Sequence, residues 1–598
     1  MTENNENNKT FSELRSLMNM PNLDSSQRKQ LVELLHQGYE VNLDLYHAEW
    51  LPYIQSFPHH FTQPLTTYHK VQDLELAATI IPCAMFELSL YSDPLHPLDP
   101  LLQSPALAHI SSLHIHNHPL QQEQLRHLLH HTAPLIKLKL SMCELNSNVP
   151  PLIESTNLQH LTHLDLQTNH LKGKSTQLLV TSTSFPNLTH LGLQTNLLDD
   201  DDATAIAQSI HLNRLQHLNL SDNKISDEGV HALASSPHLQ HLHYLDLSYN
   251  KVSDEGIKAL AQSPYIKNLH TLVLNGSIIS AKGLHALAQS PHFTSLFNLH
   301  LSECQLDDDA IRALATVPAL NNITHLHLDR NELGDLGITT LARSVQLPNL
   351  TFLNLEDNLI GHTGITSFAE THTFHRIKEL NISWNDIEDK GLVALSKTEN
   401  LKHLQHLNIM NNDISAKGIE ALAKSSAFPM LTSLHLGYNN IKSRGLKALA
   451  QSTNLQHLTH LGLEDNGLKN AGIIALSQAK NMLNIKHLNL SHNKINDNDA
   501  TMLAQSPALQ NLQHLNLEHN KIGDQGALAI AASTTLQHLQ YLNLDFNNIK
   551  HEALSLIQSQ NLPQLRKLCL MLNKIPKKTQ RVLQEQWRLQ HRKGPLRL

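Results

Sequence analysis

The sequence predicts an α/β solenoid: parallel strands stacked on a concave face, with helices on the convex face. Three observations carry this reading. The phrase Leu-x-x-Leu-x-Leu-x-x-Asn recurs at one spacing, its residues alternate between apolar and polar, and a stretch with helical spacing follows each copy. A fixed period of roughly 20–50 residues signifies stacked units that contact only their neighbours.

The last position of the phrase falls at Asn169, Asn196, Asn223, Asn250, Ser277, Cys304, Asn331, Asn358, Asn385, Asn412, Asn439, Asn466, Asn493, Asn520, Asn547 and Asn573. Each step is 27 residues except a final 26, and weaker copies ending at His118 and Cys143 bring the count to about 18 repeats.

The unit from His217 to Gln240 shows the reasoning. His217-Leu218-Asn219-Leu220-Ser221 alternates, so the leucines share one face and the polar residues the other, as in a half-buried strand. Asn223 then turns the chain, and its amide can bond backbone groups that the turn leaves unpaired. The fourteen ladder asparagines are therefore expected to be structural. Ser226-Asp227-Glu228 opens a helix, with capping oxygens and acid in its first turn. Val230, Leu233 and Ala234 give it a buried stripe, and Ser236-Pro237 stops it. One strand and one helix per repeat, always in that order, require a parallel sheet.

A glycine column, including Gly229, Gly256, Gly418 and Gly526, lies six residues after the ladder position. Gly in a helix costs about 1 kcal/mol relative to Ala, so its recurrence in phase predicts a close approach between neighbouring repeats.

Together with the following Ile-x-Asp-x-Gly-x-x-Ala-Leu-Ala, the phrase resembles the leucine-rich repeat of the ribonuclease-inhibitor-like subtype. The resemblance covers about residues 104 to 575 and implies a curved horseshoe. It implies little about function, because that superfamily includes inhibitors, GTPase activators, immune receptors and bacterial effectors. The wording Leu-Ala-x-Ser-Pro-x-Leu-x-x-Leu is closer to bacterial-type arrays than to cysteine-rich vertebrate inhibitors.

Composition agrees with a leucine-filled core. Apolar residues make up 40% of the 598, but aromatics only 4%. Four cysteines provide no disulfide framework and are expected to be reduced. Met1 to Thr10 is polar, so a secretory signal is not expected, and no apolar run has the length of a membrane span. A formal charge of −8 predicts no affinity for nucleic acid. The 44 histidines are the anomaly: with ordinary pKa values, most would charge on mild acidification. The net charge would then swing to roughly +30 near pH 5.

Residues 1–103 are expected to form an N-terminal helical and irregular cap, 104–575 the array, and 576–598 a closing helix with a basic tail. Within the N-terminal cap, Ser25 to Gln37 suggests an amphipathic helix carrying Leu31, Leu34 and Leu35, and His47 to Phe57 an apolar-aromatic segment. The closing helix is expected to contain Leu583 and Trp587, and Arg588, Arg592, Lys593 and Arg597 form the basic tail.

On the strand face, His163, His190 and His217 fall in register, as do His460, His487 and His514. Parallel imidazoles about 5 Å apart stack and do not converge on one ion, so no metal site is expected. The column just before the Asn ladder varies most. Trp384, Met410 and Tyr438 are expected to form one exposed apolar cluster, flanked by Arg330, Glu356 and Asp357. Exposed Trp, Tyr and Arg with charge around them match interface hot spots.

The expected function is a non-catalytic, monomeric protein-interaction scaffold that binds a protein partner on its concave face and uses no cofactor. No nucleophile elbow, zinc-binding His-Glu-x-x-His or P-loop is present. The expected location is the cytoplasm. A bacterial effector translocated into a host cell without a classical signal peptide is one version of this reading. The alternatives are a regulator of a partner enzyme, either an inhibitor or a GTPase activator using Arg330, and a histidine-rich pH-responsive surface.

Overall fold

The structure, a computed structural model, describes residues 30–31, 34, 67–68, 86–91, 98–316, 320–589 and 596–597. Two compact units divide the chain: Met1–Ile278 with Ser290–Ser295, and Ile279–Gln289 with Leu296–Leu598.

In the first unit the strands pair in parallel and in chain order, from Thr67–Tyr68 and Phe86–Tyr91 through Ile110–His116 and Lys137–Ser141 to Thr271–Val273. In the second they run the same way from Asn298–His300 to Lys567–Cys569, and Leu596–Arg597 adds one more. The register steps by one repeat each time, as in His163↔His190 and His460↔His487. Strand leucines such as Leu218, Leu326 and Leu407 are buried, while the polar residues beside them face outward.

Parallel pairing thus extends past the expected bounds of 104 and 575. The chain after the closing helix Lys577–Leu589 is not merely a basic tail, since Arg597 O accepts the Leu570 N–H at 2.8 Å. Leu583 and Trp587 of that helix are buried. At the other end, Leu31 and Leu34 are helical and buried. Leu35, the segment His47 to Phe57, Arg592 and Lys593 lie outside the described residues.

Three side-chain ladders tie repeat to repeat. The first is asparagine. Asn223 donates through Nδ2 to Leu220 O (2.9 Å) and Ser221 O (3.1 Å) in its own turn, and to Leu193 O (3.0 Å) in the preceding repeat. Its Oδ1 accepts the Asn196 and Leu198 N–H groups at 3.2 and 3.0 Å.

The second ladder is aspartate. The helix Asp227–Ala234 begins after Ser226, whose Oγ accepts from Glu228 N. Asp227 does not serve its own helix alone. Its Oδ1 accepts the Ser253 N–H (2.7 Å) and Gly256 N–H (3.0 Å) at the start of the next helix, placing a carboxylate at that helix's positive end. Asp389 treats Ser415 and Gly418 alike. This explains the glycine column: a Cβ on Gly256 would lie 2.5 Å from Asp227 Oδ1, and one on Gly418 2.7 Å from Asp389 Oδ1.

The third ladder is serine. Ser236 Oγ donates to Ala207 O (2.5 Å), Ser290 Oγ to Ala261 O (2.6 Å) and Ser452 Oγ to Ala423 O (2.6 Å), each satisfying a carbonyl at the end of the preceding helix.

Candidate partner-binding surface

Each strand sends outward the residues six, four and two places before its ladder residue. The residue immediately before the ladder is different. It turns the chain in the left-handed region: φ is +53° at Asp222, +54° at Arg330, +55° at Trp384 and +54° at Tyr438. A left-handed turn at the strand end lifts the side chain clear of the core, so this column is exposed or half-buried.

Of the predicted cluster, Trp384 and Tyr438 are exposed, at 48% and 42%. They are not on adjacent repeats. Asn411 occupies the same column between them, and Met410 sits one position earlier and is half-buried. Met410 is thus less exposed than the expected cluster requires. Arg330 is ion-paired to Glu303 (2.9 Å). The Glu356 carboxylate accepts from Asn381 Nδ2 (2.8 Å), and Asp357 is exposed.

Glu356 belongs to a lateral zipper of acids and amides. Asp329 accepts from Ser302 Oγ and Asn354 Nδ2, both at 2.8 Å, and Glu518 accepts from Asn543 Nδ2 at 3.0 Å. These carboxylates are held by the neighbouring strands.

The histidine columns stack as register predicts. Ring centroids are 3.8 Å apart for His163–His190, 4.0 Å for His190–His217, and 4.1 Å for both His460–His487 and His487–His514. Stacking has a consequence that composition concealed. Burial, and then neighbouring imidazoles, push the central His190 and His487 down to about 4. His327, stacked on His300, goes to about 3. The same burial lowers His163, His217, His460 and His514. The expected uniform charging near pH 5 is thus corrected for these columns, where burial opposes protonation and neighbouring imidazoles add to it at His190 and His487.

The first histidine stack borders a shallow recess of about 260 Å³, floored by Gly192 and walled by Asp165, Gln194, Asn219 and Tyr244. One ridge escaped the sequence reading. His492 stacks on His519 (4.2 Å) and His519 on Phe546 (5.5 Å), with exposed Leu572 following in the same column and Met571 beside it. The signal was present in the column of residues before the ladder, but one Trp outweighed a run of rings.

The described cysteines, Cys143, Cys304 and Cys569, are buried, and burial pushes the Cys143 thiol up to about 12. Among the described residues no three His, Cys, Asp or Glu side chains are grouped to hold a metal ion. No helix among them is long and apolar enough to cross a membrane.

A parallel sheet with one strand per repeat, a ladder asparagine and a following helix define a leucine-rich repeat array. A family model described as Leucine Rich repeat matches residues 211–234, 238–261, 319–342, 376–396, 400–423, 429–450, 454–477, 481–504, 508–531 and 535–557. The chain is a leucine-rich repeat protein. Solved structures with a similar fold include an internalin of Listeria monocytogenes, at 18% identity and TM-score 0.32, covering 71% of this chain and 94% of that one. A leucine-rich repeat protein of Leptospira interrogans aligns at 20% identity and TM-score 0.34, over 84% of this chain and 98% of that one. The mouse RP105/MD-1 complex aligns at 17% identity and TM-score 0.45, over 89% of this chain and 94% of that one. No curated protein matches the chain significantly.

Proposed function

We propose that this protein is a non-catalytic scaffold whose strand face binds a protein partner around Trp384 and Tyr438, with Arg330, Glu356, Asp357 and Met410 at the edge. One observation carries the reading: two large aromatic rings project from left-handed turns, outside the leucine core. Aromatic anchors of this kind dominate binding energy in protein interfaces. The helix in each repeat supports the ribonuclease-inhibitor-like subtype. A bacterial effector acting on a host protein is the version favoured by the bacterial-type repeat wording, and a secretion assay tests it.

Affinity purification with wild type beside Trp384→Ala/Tyr438→Ala tests the surface. Loss of a buried aromatic anchor costs about 2 kcal/mol or more, roughly thirtyfold in affinity. A partner captured by wild type should be lost from the variant, whose thermal unfolding should match wild type. Equal capture by both proteins overturns the proposal.

A further inference from the structure

We propose that Glu464 is a stowed carboxylate that swings outward to receive a lysine or arginine side chain of the bound protein. This deepens the scaffold reading and rests on it, because the site borders Tyr438. The Tyr438 N–H donates to Glu464 O at 2.7 Å, so the exposed ring and the acid lie on hydrogen-bonded neighbouring strands.

Two glycines make room for this acid. Gly437 and Gly462 occupy outward strand positions where neighbouring repeats carry side chains such as Met410, His435 and Asn489. Glu464 folds back into the gap. A Cβ on Gly437 would lie 2.4 Å from its Cγ and Cδ, and one on Gly462 would lie 3.1 Å from its Oε2. The residue is only 7% exposed, and Oε2 has no hydrogen-bond partner.

That sets Glu464 apart from the other acids of its column. Asp329, Glu356 and Glu518 each accept from a side-chain amide on the following strand, and Asp545 accepts the Met571 N–H at 2.6 Å. Glu464 is instead buried with unused acceptor capacity, a state that costs free energy. Burial raises its pKa, and no salt bridge holds it among the described residues. His435, beside Gly462, is itself pushed down by burial and so brings no positive charge. Rotation about the side chain's own bonds carries the carboxylate into solvent next to Tyr438. There it can pair with a cation that also meets the ring face.

The test uses capped lysine and capped arginine amides as probes, with capped norleucine and citrulline amides as uncharged controls. The readout is the side-chain carboxyl ¹³C resonance of Glu464 in glutamate-labelled protein, assigned by its absence in Glu464→Gln. The cationic probes should shift it saturably and the controls should not. Cation binding, followed by calorimetry, should weaken tenfold or more in Glu464→Gln. Gly437→Ala should hold the carboxylate out, return its pKa toward the ordinary range, and bind the probes at least as tightly as wild type. If that variant does not fold, Gly462→Ala replaces it.

No saturable shift, an equal response to the controls, undiminished binding by Glu464→Gln, or weaker binding by a folded glycine variant each overturns the proposal. Trp384→Ala separates it from the scaffold reading. Partner capture that depends on Trp384 while the probes fail overturns only the Glu464 site. Probes that bind while partner capture ignores Trp384 and Tyr438 overturn only the proposed surface.

Discussion

The Asn439 side chain holds the backbone of Asn412. Its Oδ1 accepts the Asn412 N–H at 3.1 Å and the Ile414 N–H at 2.9 Å, while its Nδ2 donates to Ile409 O at 3.0 Å. Asn412 does the same one repeat earlier, donating to Ile382 O at 2.8 Å and Met410 O at 2.9 Å. Each ladder asparagine therefore closes its own turn and fastens it to the one before.

Asn412→Leu removes those bonds from a residue that is fully buried. Unpaired buried backbone groups cost about 1–3 kcal/mol each, so the loss should be about 2 kcal/mol or more. Asn411→Leu, on the neighbouring half-buried turn residue, should cost less. Chemical denaturation of both variants checks this, and equal midpoints for Asn412→Leu and wild type would refute it.

Gly256→Ala places a methyl 2.5 Å from Asp227 Oδ1, the atom that accepts the Gly256 and Ser253 N–H groups. Helix propensity alone would favour Ala by about 1 kcal/mol. The clash displaces a cap shared by two repeats, so the net change should be destabilising, by about 1–3 kcal/mol. A gain in melting temperature would show that the carboxylate moves aside without cost.

These two sites mark how far the sequence could be read. The leucine alternation, the ladder asparagines and the in-phase glycines are local patterns, and local patterns determine strand, turn and helix. What the patterns do to the next repeat is not local. Asp227 reads as a cap for its own helix, yet its hydrogen bonds to Ser253 and Gly256 cross to the following one. Trp384, Met410 and Tyr438 read as neighbours by repeat count. A one-residue difference in phase puts Met410 in another column, and Asn411 takes the place between the rings. The burial of Glu464 follows from two glycines on two different strands, which no local pattern announces.

Thr195 takes the left-handed turn with φ at +53°, exposed and β-branched. That conformation costs an L-residue roughly 1–2 kcal/mol, and a β-branched residue suffers it most. Thr195→Gly should therefore be neutral or stabilising by up to about 1 kcal/mol, even though glycine loses more entropy on folding. A loss above about 1 kcal/mol in denaturant titration would mean that the Thr195 side chain supports the fold.

The stacked histidines make stability depend on pH in a direction fixed by their shifts. His190 and His487 titrate at about 4 and His327 at about 3 in the folded chain, against an ordinary 6.5. Between those values the unfolded state binds more protons, so stability is full above pH 6.5 and falls as pH drops toward 4. At pH 5 these three rings alone would take up about three protons on unfolding, and unscreened shifts would give ~4 kcal/mol per pH unit. The rings are partly open to solvent, and screening reduces the expected slope to about 1–2 kcal/mol per pH unit. Guanidinium unfolding at pH 7.5, 6 and 5 measures the slope. His190→Asn should flatten it, because that variant removes one suppressed proton site. A free energy of unfolding constant from pH 7.5 to 5 would show that the stacks protonate in place as readily as free imidazole.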